Sequence, residues 1–142
     1  MKWGIKKALA LSAAILLLAL TSCSGEEDGR NVIVITERFF VNQLDEILLN
    51  HRAYIGRYVR YEGMFFTVPW DGYDFHIVYR YTIHCCGELD RVGFEVVMDD
   101  FEPFPNDAWV EVLGMVDTID GFLVLRVISI SELDERGSEF VF

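Results

Sequence analysis

Lysine is absent from the chain after Lys7, and acidic residues are absent before Glu26. The 142 residues include 12 basic and 23 acidic side chains, so the part after residue 25 holds nine arginines against 23 acids, a net charge of −14. A surface of that sign repels phosphate backbones and anionic headgroups. It argues against nucleic-acid binding and against adhesion to anionic lipid by charge alone. The hydrophobic content of 52% is too high for a disordered chain, and the length suits one domain.

Sequence motifs of the common catalytic sites are also absent. The chain has no Gly-x-Ser-x-Gly, no phosphate-binding loop and no His-Glu-x-x-His, and it has only three histidines. The short acidic stretch Asp99–Glu102 is better explained as a solvated loop than as a cation site. We therefore predict that the protein is not an enzyme, and we assign no catalytic residue.

The N-terminus has the pattern of an export signal. A basic start precedes an apolar run of 13 residues from Ala8 to Leu20, interrupted only by Ser12, which is shorter than the about 20 residues that a transmembrane helix needs. The following Leu20-Thr21-Ser22-Cys23 resembles the lipobox of bacterial lipoproteins, in which a diacylglycerol is attached to the cysteine. That resemblance implies a signal peptide over residues 1–22, lipid attachment at Cys23 and a place on the extracytoplasmic face of the cell membrane. An ordinary secretory signal with an incidental cysteine is the alternative.

A short polar tether, residues 23–31, then leads to the body of the protein. Its eight residues after the cysteine reach less than roughly 30 Å even when fully extended. A body held so close to lipid favours partnership with a membrane protein.

The rest of the sequence predicts one helix followed by five strands. Residues 31–36 are β-rich and extended, and an apolar stripe at helical spacing then predicts a helix that ends near Asn50. The stripe consists of Phe40, Leu44, Ile47 and Leu48. The predicted strands are Arg57–Thr67, Asp74–Cys86, Val92–Met98, Trp109–Ile119 and Phe122–Ser131, with turns at Pro69–Gly72 and Asp120-Gly121, a proline-containing loop at Asp99–Asp107 and an irregular tail at Glu132–Phe142.

Five strands with internal glycines suit a small closed barrel. We predict a mainly β, five-stranded OB-like Greek-key barrel with one short N-terminal helix, forming a single domain over residues 32–142. Gly63 and Gly114 would let long strands curl. An open antiparallel sheet with the helix on one face is the alternative.

Adjacent cysteines, Cys85 and Cys86, are the chemically most distinctive feature. On an alternating strand Cys85 falls on the apolar face, whereas Cys86 shares the other face with His84. Three interpretations remain open: a small buried cysteine, a strained and easily reduced disulfide between neighbours, or a metal site. The candidate metal ligands are His84, Cys85, Cys86 and Asp90, which suit zinc or copper.

The same region resembles the C-terminal domain of the YcgQ-like family of bacterial membrane proteins, over residues 32–142. The residues that carry the resemblance are Arg80–Cys86 with Asp90, Gly93 and Val96, flanked by Tyr54–Val59 with Glu62-Gly63 and by Trp109–Gly114. The resemblance implies an extracytoplasmic domain at the membrane, a neighbouring permease, a link to zinc homeostasis and no enzymatic activity. That family usually has N-terminal transmembrane helices, whose place Cys23 would take here.

These observations together predict a membrane-anchored extracytoplasmic lipoprotein. Its function would be that of a non-enzymatic accessory or binding component of a permease system, with zinc as the possible ligand. The expected partners are membrane lipid through Cys23 and a membrane permease. The alternatives are an envelope thiol-redox protein, and a protein-interaction module that uses the barrel surface or the apolar tail Phe140–Phe142.

Overall fold

A computed structural model of the chain describes residues 31–83 and 85–142. The predicted signal peptide, Cys23 and most of the tether lie outside the described residues. The elements are β1 (Val32–Val34), a 3-10 turn (Glu37–Phe39), helix α1 (Phe40–Leu49), a second 3-10 turn (His51–Ala53), β2 (Tyr58–Trp70), β3 (Tyr73–Ile83), β4 (Leu89–Val97), β5 (Trp109–Ile119), β6 (Phe122–Glu132) and β7 (Phe140–Val141).

Five of these strands close into a barrel. Around it the order is β2, β5, β6, β4 and β3, and the pairing of β3 with β2 completes the circle. All neighbours are antiparallel except β4 and β6, which are parallel. This is the predicted OB-like Greek-key barrel, and its closure excludes the open-sheet alternative. β1 pairs with the beginning of β2, and β7 pairs with the end of β3.

Helix α1 buries the predicted stripe against the barrel core. Phe40, Leu44 and Ile47 are buried, and the Phe40 ring meets the ring of Tyr61 edge-on at 5.7 Å. Leu48, predicted to share the stripe, is 41% exposed. Its position lies about 100° further around the helix than Ile47, at the border of the buried arc.

Two local predictions on the chain path were wrong. The predicted turn Pro69–Gly72 is shorter, because β2 continues through Trp70 and only Asp71-Gly72 turns the chain, with both residues at positive φ. The tail is not wholly irregular, since Phe140–Val141 forms a parallel pair with β3 and Val141 is buried. That pairing depends on residues almost 60 positions apart.

The two faces of β3 also differ from expectation. The face predicted to be less apolar carries Val78 into the main core cluster, which includes Phe65, Val112 and Leu125. The neighbouring Tyr79 belongs to a second, smaller buried cluster. Both faces of β3 are therefore covered at Val78 and Tyr79, each by a different cluster of buried side chains.

A tyrosine hydroxyl completes the hydrogen bonding between β3 and β4. Val78 and Phe94 are partners in the register of these strands. The buried Tyr61 hydroxyl donates to the Val78 carbonyl at 2.7 Å and accepts from the Phe94 amide at 3.2 Å. Burial raises the pKa of the Tyr61 hydroxyl, so it remains a donor at all physiological pH values.

One buried arginine lies where β2 and β3 separate. Tyr79 is the last residue of β3 that pairs with β2, and Arg80 follows it with a side chain that is only 4% exposed. Its Nε donates to the Glu62 carbonyl at 2.8 Å, while Nη1 donates to the Ser138 carbonyl at 3.1 Å and to Glu37 Oε2 at 3.2 Å. The arginine therefore joins β2, the segment before α1 and the C-terminal tail.

Candidate functional site

The β3–β4 loop presents two thiols to solvent. Ile83 and Leu89 pair at the ends of the strands, so the connection is residues 84–88. Cys85 and Cys86 are both exposed and both free, in a turn that continues into Gly87 at φ +82°. The interpretation of Cys85 as a small buried residue is wrong, because β3 ends at Ile83 and the alternation that pointed Cys85 inward ends with it.

The polar surroundings of the thiols are acidic. Glu88 Oε2 lies 3.8 Å from Cys86 Sγ, within reach of a weak S–H···O contact. Asp90, a predicted ligand, is exposed on β4 opposite Thr82, and its Oδ1 accepts the Arg91 amide at 2.8 Å. His84 lies outside the described residues. Among residues 31–83 and 85–142, no three metal-binding side chains converge.

This arrangement supplies part of a coordination shell for a soft or borderline metal ion. Thiolates bind zinc and Cu(I) strongly, and a tetrahedral zinc ion takes four ligands. Cys85 and Cys86 provide two sulfur atoms, and the Glu88 carboxylate is the oxygen donor that the structure places against one of them. The remaining ligands of such an ion would have to come from elsewhere.

An apolar rim adjoins this loop, and sequence reasoning singled out only the part of the rim that lies in the tail. Exposed hydrophobic side chains at the strand ends and in the tail form it: Ile83, Leu89, Phe140 and Phe142. β7 places Phe140 opposite Tyr81, and their rings stack at 5.7 Å. The apolar ending Phe140–Phe142 was the available signal, but the pairing that brings it to β3 is non-local.

The acidic loop after β4 is tied to an arginine. Asp99 Oδ2 accepts from Arg126 Nη1 at 2.9 Å, and Arg126 also contacts Asp117 at 3.1 Å. The Thr118 backbone amide, followed by Arg126, lowers the pKa of Asp117. Asp99 therefore pairs with an arginine side chain of β6, as expected of an acidic residue in a solvated surface loop.

Several surface cavities of the described residues lie away from the thiols. One of them, of about 340 Å³, lies between α1 and β1 and is mainly apolar, with Ile33, Phe39 and Tyr54 in its walls. Another, of about 210 Å³, is lined in part by the charged side chains of Arg80, Glu37 and Glu111. In the part of the chain that the structure covers, none of the helices has the length and hydropathy required to cross a bilayer.

Comparison with known proteins gives a family match. The family model described as the DUF1980 C-terminal domain matches residues 19–142. No curated protein matches the chain. Among solved structures, the N-terminal domain of PriB protein from Thermoanaerobacter tencongensis is similar, with 12% identity, a TM-score of 0.33, and coverage of 55% of this chain and 97% of that one.

Proposed function

The chain belongs to the family of the DUF1980 C-terminal domain, and from this premise we propose that it is a non-enzymatic, metal-binding lipoprotein of the YcgQ-like type. It is held on the extracytoplasmic face of the cell membrane through Cys23 and acts as an accessory of a membrane permease. The ligand is zinc, bound at the β3–β4 loop. The observation that carries the proposal is the pair of exposed, free thiols at Cys85 and Cys86.

The metal part of the proposal is supported by ligand chemistry. Two adjacent thiolates supply half of a tetrahedral zinc shell, and Glu88 and the sequence neighbour His84 offer oxygen and imidazole donors of the types that zinc accepts. Ligands on one short, exposed loop leave the ion open to a second protein. Such a site suits transfer of an ion to a permease better than permanent structural binding.

The anchor is supported by sequence chemistry and geometry. Only eight residues separate the lipobox-like Leu20–Cys23 from β1, which limits the distance between Cys23 and β1 to roughly 30 Å. Acyl chains contribute about 0.8 kcal/mol for each buried CH₂, so more than one chain on Cys23 gives stable attachment. The permease is implied by the family resemblance of the Cys-Cys region.

Zinc titration of the full chain in detergent, against a chromophoric chelator, tests the metal site. We expect the Cys85→Ser/Cys86→Ser double variant to lose about tenfold or more in zinc affinity, because both sulfur ligands are removed. Cys23→Ser is the matched control, since it removes the third cysteine and leaves the loop intact. Equal zinc affinity of the double variant and wild type would exclude the site.

Mass spectrometry of the expressed chain tests the anchor. We expect the wild type in the membrane fraction, beginning at Cys23 and carrying the mass of acyl chains, and we expect Cys23→Ser to lack that mass. Zinc affinity should be the same for both. An unprocessed chain with unmodified Cys23 in the cytosolic fraction contradicts the anchor.

A thiol-redox role is the second candidate, favoured by the adjacency and exposure of the two thiols. Counting thiols in the native chain, with and without reductant, separates it from zinc binding. A redox protein yields a pair that oxidises and recovers reversibly with reductant, whereas a zinc site yields thiols that zinc protects from alkylation.

A further inference from the structure

The strand pairing defines the end of the barrel at which the chain enters. β1 runs parallel to the beginning of β2, and β2 runs antiparallel to β5. Asn31, Ile55 and Ile119 therefore lie at the same end of the barrel, because Asn31 precedes β1, Ile55 precedes β2 and β5 ends at Ile119. The Gly56 amide, bonded to the Val116 carbonyl at 2.8 Å, holds these segments side by side.

This end carries three exposed apolar side chains, Ile55, Ile119 and Phe122, beside the exposed Arg57, and we call these four residues the entry face. Ile119 and Phe122 flank the tight turn Asp120-Gly121, and Phe122 is 71% exposed. A phenylalanine that is so exposed at a hairpin tip contributes little to the packing of the core. A side chain of that kind is suited to enter an apolar phase beyond the protein.

The charges of the entry face and its adjoining turn cancel, whereas the body as a whole is strongly acidic, including the thiol loop with Glu88. Arg57 is exposed, with its guanidinium 5.1 Å from the Tyr54 ring, and Asp120 at the turn carries the opposite charge. The chain after residue 25 has a net charge of −14. A region without excess negative charge can approach a lipid headgroup layer where the rest of the surface is repelled.

The short chain between the predicted anchor and the described domain indicates which end of the barrel lies near the bilayer. Ten residues separate the end of the apolar run, Leu20, from Asn31, and they reach less than roughly 40 Å when extended. A lipid on Cys23 shortens that reach further. The end of the barrel from which Asn31 emerges is thus the end that the anchor draws towards the bilayer.

We propose that the entry face is a membrane-contact surface, with Phe122 and Ile119 inserted at the headgroup level of the bilayer. This inference rests on the proposed anchoring. β3 runs antiparallel to β2, so its final residues and the thiol loop also project from the entry side of the β2–β3 pair. Contact through the entry face would hold Cys85 and Cys86 close to the membrane surface, within reach of a permease.

Two similar hairpin tips allow a matched experiment. Phe122 begins β6 after Asp120-Gly121, and Tyr73 begins β3 after Asp71-Gly72 at the far end of β2. The two side chains are 71% and 74% exposed, so Phe122→Trp and Tyr73→Trp are equally tolerable. Each full-length variant is reconstituted in phosphatidylcholine vesicles with brominated acyl chains, and quenching of tryptophan fluorescence is measured relative to wild type.

We expect quenching of the added tryptophan in Phe122→Trp to be about twofold or more greater than in Tyr73→Trp, because interfacial side chains lie at the headgroup–acyl boundary. Equal quenching at the two positions would overturn the membrane-contact surface. Mass spectrometry of the same samples shows separately whether Cys23 carries acyl chains, and so tests the anchor. If Cys23 is unmodified, the comparison is repeated with Cys23→Ser chains bound to nickel-chelating lipid through an N-terminal hexahistidine tag, and the same two outcomes apply.

Discussion

Replacing Arg80 with methionine should lower the free energy of unfolding by about 3 kcal/mol. Methionine is of comparable length and apolar, so the change removes the donors while much of the packing volume is retained. The carbonyls of Glu62 and Ser138, which accept from Arg80 at 2.8 and 3.1 Å, lose a charged donor. Urea unfolding of the full chain in detergent, followed by far-ultraviolet circular dichroism, measures the effect.

The packing around Arg80 adds to the cost. Its guanidinium carbon lies 5.0 Å from the centre of the Phe40 ring and 4.9 Å from that of Trp109. Phe40 belongs to α1 and Trp109 begins β5, so the cation is held between two elements. Cation–π contacts of this kind contribute most when they are desolvated.

A second arginine provides the control. Arg126 also contacts carboxylates, those of Asp99 and Asp117, but its side chain is 39% exposed. Water can replace its hydrogen bonds, so Arg126→Met should destabilise the chain much less than Arg80→Met. Equal losses for the two variants would show that Arg80 does not join the elements as its contacts indicate.

Replacing Gly93 with alanine should destabilise the barrel by about 3 kcal/mol or more. A Cβ at this position would overlap the Val78 carbonyl oxygen and lie 2.8 Å from the Tyr79 Cα. These are backbone atoms of β3, which cannot move without parting it from β4. The same carbonyl accepts from the buried Tyr61 hydroxyl, so the displacement also breaks that bridge.

Gly121→Ala is the matched control for Gly93→Ala. Gly121 has φ +86°, but a Cβ there would have no atom within 4 Å. Alanine at that position costs only the strain of the backbone conformation, about 1 kcal/mol. Unfolding midpoints in urea compare the two, and a loss for Gly93→Ala no larger than that for Gly121→Ala would contradict the overlap.

Local patterns were sufficient for most of the secondary structure. β5 has the predicted bounds, Trp109–Ile119, because apolar alternation and the Asp120-Gly121 turn are local patterns that span only a few residues. The helix followed from four apolar positions. The turn between β2 and β3 begins later than predicted, because Pro69 is typical of turns but lies within β2 here, close to its end.

The candidate site was only partly predictable. Adjacency of Cys85 and Cys86 is a property of the sequence, and it is enough to single out their loop as the candidate site. Their exposure was not predictable, because the predicted strand ends at Cys86, three residues beyond the end of β3 at Ile83. The contact between Glu88 and Cys86 depends on the loop geometry that follows Gly87.

The order of local elements, the acidic character of the body and the export pattern of the N-terminus follow from the sequence alone, because periodicity, turn residues and charge act over short distances. Tertiary structure decided that β7 pairs with β3 and that Ile55 and Phe122 lie at the same end of the barrel. It also decided that β2, the tail and the segment before α1 meet at Arg80. Each of these depends on residues that lie far apart in the chain. Barrel closure brings them together, and no short stretch of sequence encodes that closure.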